Sequence, residues 1–374
     1  MPGANILIYR TGSLGDTLVA LPALWVVRKH FAGARLSLLH DRQARGLFVS
    51  AEDVLRGSNL IDNFITYTVD FSAWGRFLSP LRKIVLLKRL RAEHFDTLVY
   101  LAPRLGMPRS VQRDRLFFRA AGIRTFIGME GSWELPTRRP GEPLPAMPHV
   151  ADQMLARLAE SGIPVPAAGH GRIGLNLCAD DERQAAIWLQ AQYGGPRQGF
   201  IAVAPGSNRS VNIWPRERFE AVVRQLIGRF DIWPIIFGGA KDREVGDQLV
   251  KAWGRGYVAA GPLSVRSAAA VLKQCLLYVG NDTGTMHLAA AMGVPCVAIF
   301  SARNPPGKWE PYGQQHKVFR VRIDCEGCML DTCIERGMEC ILSIDIDEVQ
   351  AACATVLTRS DVVQRLMPST TDVT

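Results

Sequence analysis

No uninterrupted apolar run in the 374 residues approaches the length of a bilayer span. The first residues, MPGANILIYRTG, carry no basic segment ahead of a long apolar core. No secretory leader is therefore expected there, and the chain is expected to remain in the cytoplasm. Low-complexity tracts are missing, as are zinc-finger, RRM and basic-zipper patterns, which leaves nucleic acid a weak choice of partner. What is present is a globular composition, 48% hydrophobic, in a chain long for a single core, so two domains are expected. Eight cysteines without a leader point to reduced thiols or a metal site rather than disulfides. The net charge of +9 is unevenly spread, because residues 1–171 hold 22 Lys and Arg against 14 Asp and Glu. Such a field attracts nucleic acid, anionic lipid or a phosphorylated substrate, or is simply a solvated basic face, and it says nothing about fold.

Residues 6–9 read as a short apolar strand, 10–16 (RTGSLGD) as a glycine-containing loop, and 17–31 as a helix with Pro22 marking a kink or a late start. A strand over 34–39 completes a βαβ unit. The loop lacks the full GxGxxG spacing, yet Asp16 sits where open α/β sheets place their ligands. In 73–91, Trp74, Phe77, Leu78, Leu81 and Val85 recur at helical spacing among Arg76, Arg82, Lys83, Lys88, Arg89 and Arg91. That pattern fits an anionic membrane surface or an ordinary surface helix, and Pro80 is expected to break its first turn. After a strand at 95–101, Arg104, Arg109, Arg113, Arg115 and Arg119, with Arg138 and Arg139 later, suggest a site for phosphates or carboxylates. Residues 136–148 hold five prolines and read as irregular, and 150–162 as a helix. A domain boundary is expected near 170–195.

The second half repeats the design. Strands are expected at 200–204 and 233–237, with the loop PGSNR (205–209) after the first, the turn Gly238-Gly239 after the second, and helices over 215–229 and 241–253. Residues 277–301, LYVGNDTGTMHLAAAMGVPCVAIFS, read as strand, polar turn, helix and strand. Asp282 or Thr283 caps this helix and Gly293 with Pro295 stops it. A helix N-terminus at the carboxyl end of a parallel strand favours an anion, so the amides of 283–285 are expected to hold a diphosphate while Asp282 orders the turn. His287 faces the same mouth; a capped helix with a packing histidine explains this segment equally well.

Taken together, RTGSLGDTLVALPAL (10–24), VAPGSNRSVNIWPRERF (203–219), FGGAKDRE (237–244), NDTGTMHLAAAMGVP (281–295) and CEGCMLDTCIERGMEC (325–340) resemble glycosyltransferase family 9, the bacterial heptosyltransferases of the lipopolysaccharide inner core. The resemblance implies an α/β fold of the GT-B kind, with two Rossmann-like doubly wound domains facing a cleft. Residues 1–175 are then the acceptor-binding domain, 195–345 the nucleotide-sugar domain, and 346–374 a terminal helix packing back towards the first. It also implies inverting transfer of heptose or a related sugar, most simply from ADP-heptose, to a lipopolysaccharide core or related surface glycan, with Asp16 as the base. Thr283, Gly284 and the helix beginning there would hold the leaving diphosphate, helped by Ser207, Asn208 and Arg209, and Glu244 the ribose hydroxyls. Arg109 and Arg138 would read the anionic, lipid-linked acceptor at a peripheral membrane surface.

The family's lysine two residues before the WP pair is Asn212 here, which shifts the donor's charge to Arg209 or Lys241 or alters the donor itself. Cys325, Cys328, Cys333 and Cys340 have metal-ligand spacing for a structural zinc or iron, or form a thiol loop; no cofactor is expected in catalysis. Two rivals remain: a heptosyltransferase acting on protein, such as an autotransporter, and a catalytically silent nucleotide-sugar-binding protein.

Overall fold

The computed structural model describes residues 3–43, 49–70, 73–102, 108–130, 135–139, 141–192 and 199–359. Arg104, the side chains of Trp74, Arg76, Phe77 and Leu78, and residues 360–374 lie outside the described set. The chain forms two compact units, one of residues 1–135 and 148–176, the other of 136–147 and 177–374.

In the first unit the order is β1 (Asn5–Tyr9), α1 (Leu14–Leu18), α2 (Leu21–His30), β2 (Arg35–Gln43), α3 (Ala51–Leu55), β3 (Asn63–Val69) and α4 (Ala73–Ala92). It continues through β4 (Thr97–Tyr100), α5 (Pro108–Ala120), β5 (Thr125–Ile127) and α6 (Val150–Glu160). The strands are parallel in the order β3-β2-β1-β4-β5. β1 and β4 are covered on both faces, which is why they read as continuous apolar runs instead of alternating ones. The expected helix over 17–31 is two helices, because Pro22 sits in the first turn of α2, where its missing N–H costs nothing. Pro80 lies inside α4 without ending it.

The second unit runs α7 (Ala179–Gln192), β6 (Phe200–Ala204), α8 (Arg216–Phe230), β7 (Trp233–Ile236), α9 (Arg243–Trp253), β8 (Tyr257–Val258) and α10 (Val265–Leu272). Then come β9 (Leu277–Asn281), α11 (Gly284–Ala291), β10 (Cys296–Phe300), β11 (Lys317–Arg320), α12 (Glu339–Leu342) and α13 (Ile346–Leu357). Its parallel sheet has the order β11-β10-β9-β6-β7-β8. In each sheet the chain starts in the middle, builds outward one way, then crosses back to build the other way. The switch points lie between β1 and β4 and between β6 and β9, where a crevice opens at the carboxyl ends.

Residues 136–147 are bound into the second unit and not the first, a change from the expected boundary: the N–H of Met147 donates to the Pro306 carbonyl at 2.8 Å, and that of Leu144 to the buried Glu326 carboxylate, which Arg320 also holds at 2.9 Å. α13, the described part of the expected terminal segment, lies on α8 within the second unit. Val349, Cys353 and Leu357, one turn apart on a single face, are fully buried in the core that holds Phe219, Val222 and Leu226. No helix among the described residues is long and apolar enough to cross a membrane.

α7 is joined to α10 by a buried pair, Arg266 donating to Asp181 at 3.0 and 2.6 Å, with the Cys178 N–H on the same carboxylate at 2.8 Å. Asp181→Ala takes the carboxylate away from that buried guanidinium. It is expected to destabilise the second unit by about 3–5 kcal/mol, measured as a shift of its denaturant unfolding transition; a shift below about 1 kcal/mol would mean the pair behaves as a solvated one.

Candidate functional site

At the switch point of the second sheet, the loop after β6 and the turn after β9 are tied together by Asn281. Its side-chain N–H donates to the Pro205 carbonyl at 2.7 Å and its oxygen accepts the Trp214 N–H at 3.2 Å. Trp214 is fully buried with its ring 5.0 Å from Phe219, which explains the WP pair ahead of α8. Thr283 takes the N-cap position of α11, and Gly284 opens it. The helix is buried almost all round, as its alanine-rich sequence requires. His287, 6% exposed, packs in its second turn against Trp309, with ring centroids 6.3 Å apart.

Asp282 carries the main electrostatic tension. Burial pushes its carboxyl up from 3.8 to about 6, opposed by the charges of Arg209 and Arg303 and by an Asn212 hydrogen bond of 3.1 Å. Asn212 is itself buried and accepts the Ser301 hydroxyl at 2.6 Å, so its amide is fixed between Ser301 and Asp282. Arg209 and Arg303 share the Asp331 carboxylate at 2.7 and 3.0 Å, and Arg303 also donates to the Leu330 and Met329 carbonyls. Neither guanidinium is therefore loose. Lys241 donates to the Ser207 carbonyl at 2.7 Å, while Asn208 is exposed. In the Gly238-Gly239 turn, Asp242 accepts the Gly239 N–H at 2.8 Å and leaves no room for a Cβ on Gly206. That role occupies Asp242, whereas Glu244 is exposed in the first turn of α9.

In the first unit, Asp16 stands three residues into a cap. Its Oδ2 accepts the Ser13 N–H at 3.0 Å, and its Oδ1 lies 3.6 Å from the Arg10 guanidinium. Arg10 is 1% exposed and holds the Asp16 and Leu101 carbonyls, so the loop is built over a buried cation. Gly12 has φ 115°, and a Cβ there would fall 2.5 Å from Asp16 Cγ. Its N–H donates to Asp41 at 2.8 Å. Burial, and to a lesser degree the Asp16 charge, raises the Asp41 carboxyl above its ordinary value.

Arg109 is exposed on α5 in the first unit. Arg138 belongs to the second, 3.8 Å from Asp324, in a cavity of about 540 Å³ that Cys325, Cys328, Cys333 and Cys340 also line. All eight cysteines are free thiols. Among the described residues no three His, Cys, Asp or Glu side chains form a group able to hold a metal ion, so this geometry does not support the expected zinc or iron. Arg138, Arg303 and Arg336 line the same cavity together with Asp324, Glu335 and Glu339.

The family model described as glycosyltransferase family 9 (heptosyltransferase) matches residues 86–339, well over half of the chain. The chain belongs to glycosyltransferase family 9. Over 97% of its length it is 24% identical to Lipopolysaccharide heptosyltransferase 1 of Pseudomonas aeruginosa, 97% of which is covered. It is 28% identical to Lipopolysaccharide heptosyltransferase 2 of Escherichia coli over 40% of this chain, and that match spans about half of the relative, 47%. The structure of E. coli ADP-heptose lps heptosyltransferase II superposes with a TM-score of 0.67 at 18% identity, covering 94% of this chain and 98% of that one. The likeness establishes a GT-B fold.

Within this family 9 chain, Arg10 and Asp331 lie inside motif segments, and Asp41 and Arg303 beside them, yet the motifs give none of the four a role. Asp41, Arg303 and Asp331 meet partners distant in sequence.

The Asp282 carboxyl has a signed consequence for stability. Between pH 4 and 6 an unfolded chain ionises it freely while the folded chain keeps the proton, so this group's contribution falls as pH rises through that window and is fully lost above about 6. Asp282→Asn removes the dependence. Melting temperatures of wild type and variant are expected to converge or cross in the variant's favour from pH 4 to 7; a constant difference would place Asp282 in solvent.

Proposed function

We propose that this family 9 protein transfers heptose, or a related sugar, from a nucleotide-sugar donor to a hydroxyl of a lipopolysaccharide core or related anionic surface glycan. The observation that carries this reading is the donor set at the carboxyl edge of the second sheet. The start of α11 turns backbone N–H groups and a helix dipole towards the switch point, flanked by Arg209 and Arg303. Phosphate chemistry suits that edge. Thr283, Gly284, Ser207 and Asn208 take the diphosphate, Arg209 flanks it from its pairing with Asp331, His287 shapes the floor, and Glu244 takes the ribose hydroxyls. The P. aeruginosa relative and the E. coli structure, by their names, point to ADP-heptose and lipopolysaccharide.

The transfer is a single displacement. The acceptor oxygen forms a bond to the anomeric carbon, the bond from that carbon to the phosphate oxygen breaks, and the electron pair leaves on the nucleoside diphosphate. Asp16 receives the hydroxyl proton. The Arg10 guanidinium lies 3.6 Å from its Oδ1, and the Ser13 N–H fixes its orientation. The first unit is thus the acceptor domain, with Arg109 reading the acceptor's phosphates or carboxylates, and the second is the donor domain; Arg138, expected to share that task, belongs to the second unit.

Peripheral attachment to an anionic membrane face is part of the same reading. Leu81, Ile84 and Val85 of α4 are exposed, among Arg82, Lys83 and Lys88. Exposed aliphatic side chains beside cations suit a headgroup region. Leu81, Val85, Arg82 and Lys83 also line a cavity of about 860 Å³ with Phe117 and Phe118, of a size and lining suited to an amphiphile.

A thermal-shift screen with ADP, GDP, UDP and CMP tests the donor site, since a ligand that binds only the folded chain raises its Tm. ADP is expected to give the largest shift, and no shift from any nucleotide would favour a silent binder. Asp16→Asn keeps an acceptor for the Ser13 N–H but loses the base. Its kcat is expected to drop by about 10²–10⁴ with donor affinity unchanged, and undiminished turnover would remove Asp16 from the chemistry.

A further inference from the structure

Lys308 is 6% exposed, and its ammonium has no hydrogen bond or ion pair among the described residues. Burying a lone charge is unfavourable. Both burial and the neighbouring Arg303 charge lower its pKa, so the free protein holds this cation at a cost that an arriving anion would relieve.

Its position is fixed by the fold. Lys308 lies in the connection from β10 to β11. β10 pairs with β9 so that Ile299 faces Asn281, and the Asp282 N–H reaches the Ile299 carbonyl at 3.0 Å. The connection therefore leaves the sheet beside the turn that starts α11. Trp309, the next residue, packs on His287 of that helix. Pro306 accepts the Met147 N–H at 2.8 Å, the Gly307 N–H is held by Glu310 at 2.8 Å, and a Cβ on Gly307 would lie 2.5 Å from the Met147 carbonyl oxygen. The backbone on either side of the lysine is thus clamped.

The other cations at this edge are already engaged. Arg209 and Arg303 are shared by Asp331, and Lys241 is on the Ser207 carbonyl. Asn212 brings no charge and is held between Ser301 and Asp282. We infer that Lys308 is the cation that receives the donor's diphosphate, beside the N-terminus of α11. The inference rests on the nucleotide-sugar reading above and adds to it the residue that neutralises the leaving group. As the bond to the anomeric carbon breaks, charge gathers on the distal phosphate, and a preorganised, poorly solvated ammonium stabilises that charge more than a solvated one.

Titration calorimetry of the full chain with ADP, GDP and UDP, each beside its nucleoside, tests this. Lys308→Met keeps the buried stem and removes the charge. It is expected to weaken the diphosphate that wild type binds best by about ten- to a hundredfold and to leave nucleoside affinity unchanged, while Lys308→Arg recovers much of the loss. Without nucleotide, Lys308→Met should melt no lower than wild type, because the buried charge is gone. Unchanged diphosphate affinity in Lys308→Met, or equal loss for diphosphate and nucleoside, overturns the role of Lys308 alone. A wild-type chain that binds none of the three diphosphates overturns the nucleotide-sugar reading and this inference with it.

Discussion

The second unit depends on how Asn281 closes the sheet where its winding direction reverses. At a switch point two neighbouring strands send their chains to opposite faces, leaving exposed backbone polar groups at the carboxyl edge. The Asn281 amide satisfies two of them, the Pro205 carbonyl on the β6 side and the Trp214 N–H before α8. The residue is wholly buried, so these bonds form where an unmade one is expensive. By holding the β6 loop against the β9 turn, they fix where Ser207, Asp282 and the start of α11 stand with respect to one another.

That fixed edge contains an acid, Asp282, at the start of α11, where the proposed donor diphosphate would lie. Asp282 is kept from the helix dipole's service as a lone counter-charge because Asn212 donates to it and two guanidiniums offset it. The guanidiniums need a brace of their own. Asp331 supplies it from the segment that also carries the four cysteines, and the carbonyls of Met329 and Leu330 complete the grip on Arg303. The cysteine segment therefore has a demonstrable electrostatic task independent of any metal. It presents Asp331 and two carbonyls to the cations flanking the α11 N-terminus. Its own cavity is lined by three arginines and three carboxylates, Asp324, Glu335 and Glu339.

This explains what could and could not be read in the sequence. β1, β4, β6, β9 and β10 are buried on both faces and stand out as short apolar runs between turn residues, and the helices between them carry a 3.6-residue period. β5, β8 and β11 span three, two and four residues, too short for any pattern to declare itself. The motif loops drew attention to Asp16, Thr283 and Gly284, because glycine and capping chemistry are local. The pairs Arg209–Asp331 and Arg303–Asp331 span 122 and 28 positions, and Arg10, inside its motif, also reaches the Leu101 carbonyl 91 positions on, so no local pattern announces them. CxxC is a statement about sequence distance, whereas a metal site needs side chains to converge, and among the described residues no such group forms. The apolar face of α13 carries no mark of which surface it covers, and α8 offers a complementary one within its own unit.

Asp16 shows how a structural role and the chemical one proposed for it make separate demands on a single carboxylate. As a cap it accepts the Ser13 N–H through Oδ2. As the proposed base it needs the other oxygen unencumbered and the whole group held still. Arg10 meets both needs without forming a tight bond to the carboxylate: its guanidinium hydrogens go to backbone carbonyls of Asp16 and Leu101, and its charge acts on Oδ1 across 3.6 Å. A shorter, bidentate pair would fix the carboxylate more firmly but would occupy the oxygen that the proposed transfer leaves open. Gly12 permits the geometry because any side chain there would occupy the carboxylate's own space. The RTGSLGD loop is thus a device in which a buried cation, one glycine and one cap hold a carboxylate, 29% exposed, at the carboxyl end of the first unit's central strand.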